Sequence, residues 1–154
     1  MIGPTQAEKF PPPPDDLSFD QVKLSFVRII PGDVSQGLVP AYHFRILANG
    51  VEAGHINFRV GDTEHVRISA GHIGFQVIES CRGHRYAFQA CRAVAPFVRV
   101  FYNDVILTCD PGNTASIRTI ERLKADFIDV VPVPPYDPQF RAGARTKRRY
   151  RWTL

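Results

Sequence analysis

The chain is poor in the features that would take it out of the class of ordinary reduced globular proteins. Among 154 residues it has three cysteines, one methionine and one tryptophan. Cys81, Cys91 and Cys109 are odd in number and lack Cys-x-x-Cys spacing, which argues against a disulfide framework and a zinc site; they read as reduced thiols. His43, His55, His65 and His84 form no ligand spacing with the carboxylates, so no metal is expected. No apolar run approaches the roughly 18 to 20 residues that span a bilayer. Pro11 to Pro14 stand where a secretory signal would be apolar, so the expectation is a soluble, cytoplasmic protein without a membrane partner.

What is present is a chain 44% hydrophobic and 22% charged, enough for one domain with a proper core. Residues 1–20 carry the proline run and little apolar periodicity, which predicts an extended N-terminal arm ahead of a single domain over 21–154. The net charge of +4 invites a nucleic-acid reading. Much of the excess, however, is clustered in Arg141, Arg145, Lys147, Arg148, Arg149 and Arg151, which read as a solvated basic loop before a terminal strand at Tyr150 to Trp152. A clustered tail argues against nucleic acid as the partner, because a groove binder needs a basic face on a folded module.

The apolar pattern alternates densely in the first half. Strands are predicted at 24–30, 41–47 and 51–60, with Asn49-Gly50 as a two-residue hairpin turn, then at 65–68 and 73–79. Helical spacing follows from Tyr86 to Val94, with Pro96 at its end or a kink within it. A strand at 104–109, a helix over 114–124 with Asn113 as N-cap, and a strand at 127–133 complete the pattern. The sum is an antiparallel meander followed by alternating strands and helices, an α+β fold with a mixed sheet.

The chemistry concentrates after the strand at 73–79. Ser80-Cys81-Arg82-Gly83-His84-Arg85-Tyr86-Ala87 joins a strand to a helix, where backbone N–H groups at the positive end of the helix dipole can hold a pyrophosphate. Gly83 removes the side chain that would block close approach.

Gly71-His72-Ile73-Gly74-Phe75-Gln76-Val77, Arg82-Gly83-His84-Arg85-Tyr86-Ala87, Asn113-Thr114-Ala115-Ser116 and Ile120-Glu121-Arg122, in that order, resemble the GNAT superfamily of acyl-CoA-dependent N-acetyltransferases. The resemblance covers about 42–127 and is closest to the ribosomal-protein and amino-acid acetyltransferase-like branch. It implies a GNAT-like fold: a mostly antiparallel central sheet, flanking helices and a strand-turn-helix core that binds acetyl-CoA. Arg82, Tyr86 and Ala87 fit the family's Gln/Arg-x-x-Gly-x-Gly/Ala signature, whereas Arg85 stands where the central glycine is usual.

The resemblance further implies that the backbones of Phe75 and Val77 pair with the pantetheine arm, that the N–H groups of Arg82, Gly83, Arg85, Ala87 and Phe88 hold the pyrophosphate, and that Asn113 contacts pantetheine or shapes the helix start. His72 occupies the position where the branch often has an acidic residue, so it is the candidate base, and Glu79 is a more solvated alternative. Ser116 matches the branch's serine and is the candidate hydrogen-bond donor to the leaving sulfur; the tyrosine that many relatives use is replaced by Ile120. Cys109 reads as a buried structural thiol.

The expected activity is direct transfer of acetyl from acetyl-CoA to a primary amine. The alternative is a non-catalytic acyl-CoA-binding or sensing protein, suggested by Arg85 and the absent tyrosine. The family usually places two helices between its first two strands, and residues 31–40 are too few for both. This leaves the acceptor side either open to a large substrate or completed by a second copy in a homodimer.

Overall fold

The structure is a computed structural model that describes residues 10–154, so the first nine residues of the expected arm lie outside it. Apolar residues at every second position build one face of a five-stranded antiparallel sheet in the order β1-β2-β3-β4-β5. Its strands are β1 (Ser18–Phe19), β2 (Val22–Ile30), β3 (Ala41–Ala48), β4 (Val51–Arg59) and β5 (Ile73–Val77). Val22 and Leu24 of β2, Tyr42, Phe44 and Ile46 of β3, and Ile56 and Phe58 of β4 all point to one side and are buried. The β3–β4 turn has φ +52 at Asn49 and φ +81 at Gly50, the paired left-handed residues that a two-residue hairpin requires.

That apolar face packs on helix α1 (Tyr86–Val98), whose buried stripe includes Ala90, Cys91, Val94, Phe97 and Val98. Phe97 meets Tyr42 edge-on at 4.8 Å between ring centroids. Pro96 sits inside α1 one turn from its end. The described part of the arm is docked: Phe10 and Leu17 are buried, and the Tyr42 hydroxyl donates to the Pro11 carbonyl at 2.7 Å. Burial pushes the Tyr42 phenol up to about 12.

The remaining strands form a second antiparallel sheet in the order β6-β8-β7: β6 (Asp104–Cys109), β7 (Asp126–Pro132) and β8 (Thr146–Thr153). Helix α2 (Thr114–Arg122) follows β6, and the single turn α3 (Pro138–Arg141) lies between β7 and β8. The α+β class is the expected one, but every strand pair among the described residues is antiparallel where the alternation predicts a mixed sheet, because β5 and β6 splay apart instead of pairing. Two local expectations are corrected as well. The stretch expected as a strand at 65–68 is a wide helical segment, His65–Ala70, whose Val66, Ser69 and Ala70 are buried.

The basic run is no solvated loop, because Thr146–Thr153 is the central strand of its sheet. Its charges are largely occupied. Lys147 pairs with Asp110 at 2.8 Å, Arg149 forks onto Asp129 with two bonds of 2.8 Å, and the Arg148 guanidinium lies over Phe127 at 4.5 Å.

Loop 133–145 is held to the His65–Ala70 segment by Asp137. Its carboxylate, 4% exposed, accepts from Ser69 Oγ and His65 Nδ1 at 2.8 Å each and from the Gln139 N–H at 2.8 Å. Burial alone would raise the carboxyl pKa, but these donors outweigh it and hold Asp137 below its ordinary value.

Candidate active site

β5 and β6 are the facing edges of the two sheets. They meet at one point, where the His72 N–H donates to the Ile106 carbonyl at 2.8 Å and the Ile106 N–H donates back to His72 Nδ1 at 2.9 Å. Beyond this clamp the edges separate. The bonds from Arg59 N–H to the His72 carbonyl and from Ile78 N–H to the Ala53 carbonyl fix which backbone groups of β5 face β4. By the two-residue period, the N–H and C=O groups of Phe75 and Val77 face the opening instead. They form a strand edge without a partner strand, on which the Val77 carbonyl alone is met by a side chain, and an edge of this kind accepts an extended ligand with amide groups.

At the C-terminal end of β5 the chain makes a short turn, Glu79–Cys81, and enters α1. Arg85 is the N-cap with φ +61 and ψ +28, and its side chain makes no cap bond, so the first N–H groups of α1 are left for an external acceptor. Arg85 thus adopts the left-handed conformation that a glycine would take at the position where the family signature has one. Gly83 has φ +91 and no heavy atom within 4 Å of where a Cβ would lie. The Gln89 side chain fixes the turn by donating to the His84 carbonyl at 3.2 Å and accepting from the Gln21 N–H at 3.0 Å.

A pocket of about 330 Å³ occupies the opening. β5 contributes Phe75, Gln76 and Val77, the turn contributes Cys81, Arg82, Gly83 and Arg85, α1 contributes Tyr86 and Ala87, and the start of α2 contributes Asn113, Ala115, Ser116 and Thr119. Two guanidinium groups and no carboxylate line it. Arg82 Nε donates to the Val77 carbonyl at 3.2 Å, which draws that cation across the edge of β5. Asn113 Oδ1 accepts from the Ser116 N–H at 3.1 Å, so Asn113 caps α2 while bordering the pocket.

Of the cofactor residues named from the sequence, Phe75, Val77, Arg82, Gly83, Arg85, Ala87 and Asn113 are brought together here, together with Ser116. The Phe88 side chain points elsewhere and meets Phe19 edge-on at 6.1 Å. Tyr86, which fits the signature, borders the pocket too, as do Gln76, Cys81, Ala115 and Thr119, which the sequence does not assign to the cofactor. Gln76 and Cys81 adjoin assigned residues in the chain, whereas Thr119 reaches the pocket only because α2 packs there. Glu79 is exposed before the turn and does not line the pocket.

His72 lies outside this pocket. It is 5% exposed, and its ring is 4.9 Å from that of Tyr102. Burial pushes its pKa down, so the imidazole is neutral. With Nδ1 accepting from Ile106, the neutral ring carries its proton on Nε2 and has no free basic lone pair.

Burial likewise raises the Cys109 thiol, which is 5% exposed at the end of β6. The face of the first sheet opposite α1 is polar: His43 of β3, His55 and Asn57 of β4 and Gln76 of β5 share it. His43 Nδ1 bonds Asn57 Oδ1 at 2.5 Å, and the His43 and His55 rings are 5.4 Å apart. Burial and His43 lower the His55 pKa.

No helix among the described residues is long and apolar enough to cross a membrane, and no cluster among them would hold a metal ion. No curated protein matches the chain in sequence. Among solved structures, RimL, a ribosomal L7/L12 alpha-N-protein acetyltransferase in complex with coenzyme A, is 17% identical with a TM-score of 0.56, over 74% of this chain and 62% of its own. MccE, the microcin C7 self immunity acetyltransferase in complex with acetyl-CoA and AMP, is 15% identical with a TM-score of 0.55, over 74% of this chain and 61% of its own. A GNAT-family acetyltransferase from Bacillus anthracis is 22% identical with a TM-score of 0.56, over 72% of this chain and 65% of its own.

At these identities the likeness is one of fold, and the chain spans about three-fifths of the length of RimL and MccE. The family model for the acetyltransferase (GNAT) domain matches residues 4–126, a span that contains both the splayed edges and the cradle. The chain therefore belongs to the GNAT acetyltransferase domain family.

Proposed function

We propose that the protein transfers an acetyl group from acetyl-CoA directly to a primary amine. The observation that carries this reading is the pocket between β5, the Arg82–Arg85 turn and α2. It combines an unpaired strand edge, an uncapped helix N-terminus and two cations without a carboxylate. Phe75 and Val77 are assigned to pantetheine. The backbone donors of Arg82, Gly83, Arg85, Ala87 and Phe88 are assigned to the pyrophosphate, and Asn113 is assigned to the pantetheine beside the start of α2. The left-handed backbone at Arg85 supports cofactor binding, since the cradle keeps its shape despite the substitution, and the acyl-CoA-binding sensor differs from the enzyme only in lacking the transfer step.

Acetyl transfer requires the amine nitrogen to bond the carbonyl carbon as the carbon–sulfur bond breaks, with one proton leaving nitrogen and one reaching sulfur. The Ser116 hydroxyl borders the pocket and is assigned as hydrogen-bond donor to the departing sulfur. His72, engaged with Ile106, is assigned a positioning role: it holds the point at which β5 and β6 part. His55, kept neutral on the open face of β4, is assigned as the base, reaching the amine through water.

Calorimetric titration with acetyl-CoA and CoA, followed by mass spectrometry of an amine library incubated with acetyl-CoA, tests the proposal. Micromolar binding and an acetylated product are expected. Binding without any product would favour the sensor, and no binding at millimolar ligand would overturn both.

A further inference from the structure

Most arginines among the described residues are matched to carboxylates or exposed, and Arg59, at the apex of the splay, is one of the few that are neither. Arg45 pairs with Glu52, Arg67 with Asp62, Arg149 with Asp129 and Arg151 with Asp104. Arg59, the last residue of β4, has no carboxylate partner among the described residues although it is half-buried. Its Nη1 donates to the Ala70 carbonyl at 3.1 Å and the Gly71 carbonyl at 3.3 Å. Nε and Nη2 have no acceptor among the described residues, which leaves three N–H donors, two of them parallel along one edge of the planar fork.

Its position is as telling as its lack of a partner. The guanidinium crosses β5 at Gly74, where a Cβ would lie 3.0 Å from both terminal nitrogens. Gly74 directly precedes Phe75, the residue assigned to the pantetheine. Arg59 therefore lies across the strand from α1, on the face that carries His55 and Asn57. The rest of that face is cationic as well: Lys23 and Arg28 of β2 share it, and its one carboxylate, Glu52, is taken by Arg45. No helices cover it between β2 and β3, where residues 31–40 form only a short turn.

We infer that Arg59 is the anchor for a carboxylate on the acceptor, so that the enzyme acetylates amines that carry a carboxylate near the amino group, as amino acids do. The planar fork matches the two oxygens of a carboxylate, and the site lacks an internal counter-ion that would compete. The carboxylate would sit beside Gly74 and hold the amine near the thioester. This rests on the reading that CoA lies along β5.

The test uses the full-length protein, acetyl-CoA and three panels of acceptors: the common amino acids, their carboxamides, and ethanolamine phosphate as a phosphate-bearing amine. Thiol release is measured for wild type, R59K and R59Q. Amino acids are expected to be the preferred panel. R59Q is expected to lower kcat/KM for them by about ten- to a hundredfold, mainly through KM, and to change the carboxamides little. R59K should recover only part of the loss, because it lacks the fork. CoA affinity should be unchanged in both variants.

A purely structural Arg59 would lower turnover of acids and amides equally or weaken CoA, which would overturn the inference. Preference for ethanolamine phosphate would replace the carboxylate by a phosphate and overturn it too. If wild type binds CoA but acetylates nothing, the enzyme reading fails separately. Binding of the amino-acid panel to the CoA complex by calorimetry, compared between wild type and R59Q, then decides Arg59: equal binding or none overturns it.

Discussion

Arg85 gives the sharpest test of the cradle, because its backbone and its charge can be separated by two substitutions. Its φ of +61 places an L-residue in the left-handed region, at a cost of about 1–2 kcal/mol relative to the right-handed one. Glycine relieves that cost but adds freedom to the unfolded chain worth about 0.4–1 kcal/mol. Arg85→Gly should therefore stabilise the protein by about 1 kcal/mol, or roughly 2–4 °C in Tm for a chain of this size. Arg85→Ala keeps the strained backbone and removes only the guanidinium. It should leave Tm nearly unchanged, with a slight gain because a cation at a helix N-terminus opposes the dipole.

Binding should behave in the opposite way. Both variants lose a cation beside the proposed pyrophosphate, and a charge-assisted hydrogen bond is worth about tenfold in affinity or somewhat less where salt screens it. The expected pattern is two variants with similarly weakened CoA affinity, of which only Arg85→Gly is more stable. Calorimetric titration at two salt concentrations and thermal denaturation read both quantities. Unchanged affinity in Arg85→Ala would place the guanidinium away from the phosphates and refute the electrostatic part of the argument. A loss of stability in Arg85→Gly would refute the assignment of strain.

Four further outcomes follow from the same geometry. Gly83→Glu sets a carboxylate into the space above the turn and should reduce CoA binding by at least about tenfold; unaltered affinity would mean that the cradle lies elsewhere. His72→Ala removes the acceptor of the buried Ile106 N–H, so it should cost about 1–3 kcal/mol in denaturant unfolding, and a loss of turnover without a loss of stability would return His72 to the role of base. Asp137 has a folded pKa below its unfolded value. Its contribution is thus complete above the ordinary carboxylate pKa and lost as pH falls through the folded value, so Asp137→Asn should flatten the acid limb of the stability profile below about pH 4. His55 also has a depressed pKa, so the acidic limb of kcat/KM should fall below about pH 6.5, and His55→Gln should abolish that limb while leaving CoA affinity intact.

The strands and the cradle were legible because their signals are local. Alternation in Tyr42-His43-Phe44-Arg45-Ile46 and the Asn49-Gly50 turn follow from side-chain period and backbone freedom alone. The nearness of Asn113 and Ser116 to Arg82 and Gly83 came from the family pattern, since some thirty residues separate them in sequence. What failed needed knowledge of partners. Val66 and Ile68 look β-prone, yet the segment turns helical because Ser69 and His65 are held to Asp137, about seventy residues away. The run Lys147-Arg148-Arg149 looks solvated, but Asp110, just past the end of β6, and Asp129 of β7 supply counter-charges to Lys147 and Arg149. The sequence marks His72 as a candidate base, while the N–H that occupies its lone pair belongs to Ile106 and is invisible to any sequence pattern.

The two sides of β5 divide the work that the proposed acyl transfer demands. Toward the splay, an unpaired strand edge and the N-terminus of α1 offer backbone donors, which suit a long ligand of amides and phosphates and make few demands on side chains. This explains why an arginine can replace a glycine at position 85 as long as its φ stays positive. On the opposite side, selectivity has to come from side chains, and Arg59, Asn57, His55 and Gln76 are the polar groups that share that face beside the splay. Gly74 connects the two: a larger residue would displace the guanidinium that rests on it. Substituting Gly74 by alanine should therefore impair acceptor recognition before it impairs CoA binding, the reverse of the order expected for Gly83→Glu.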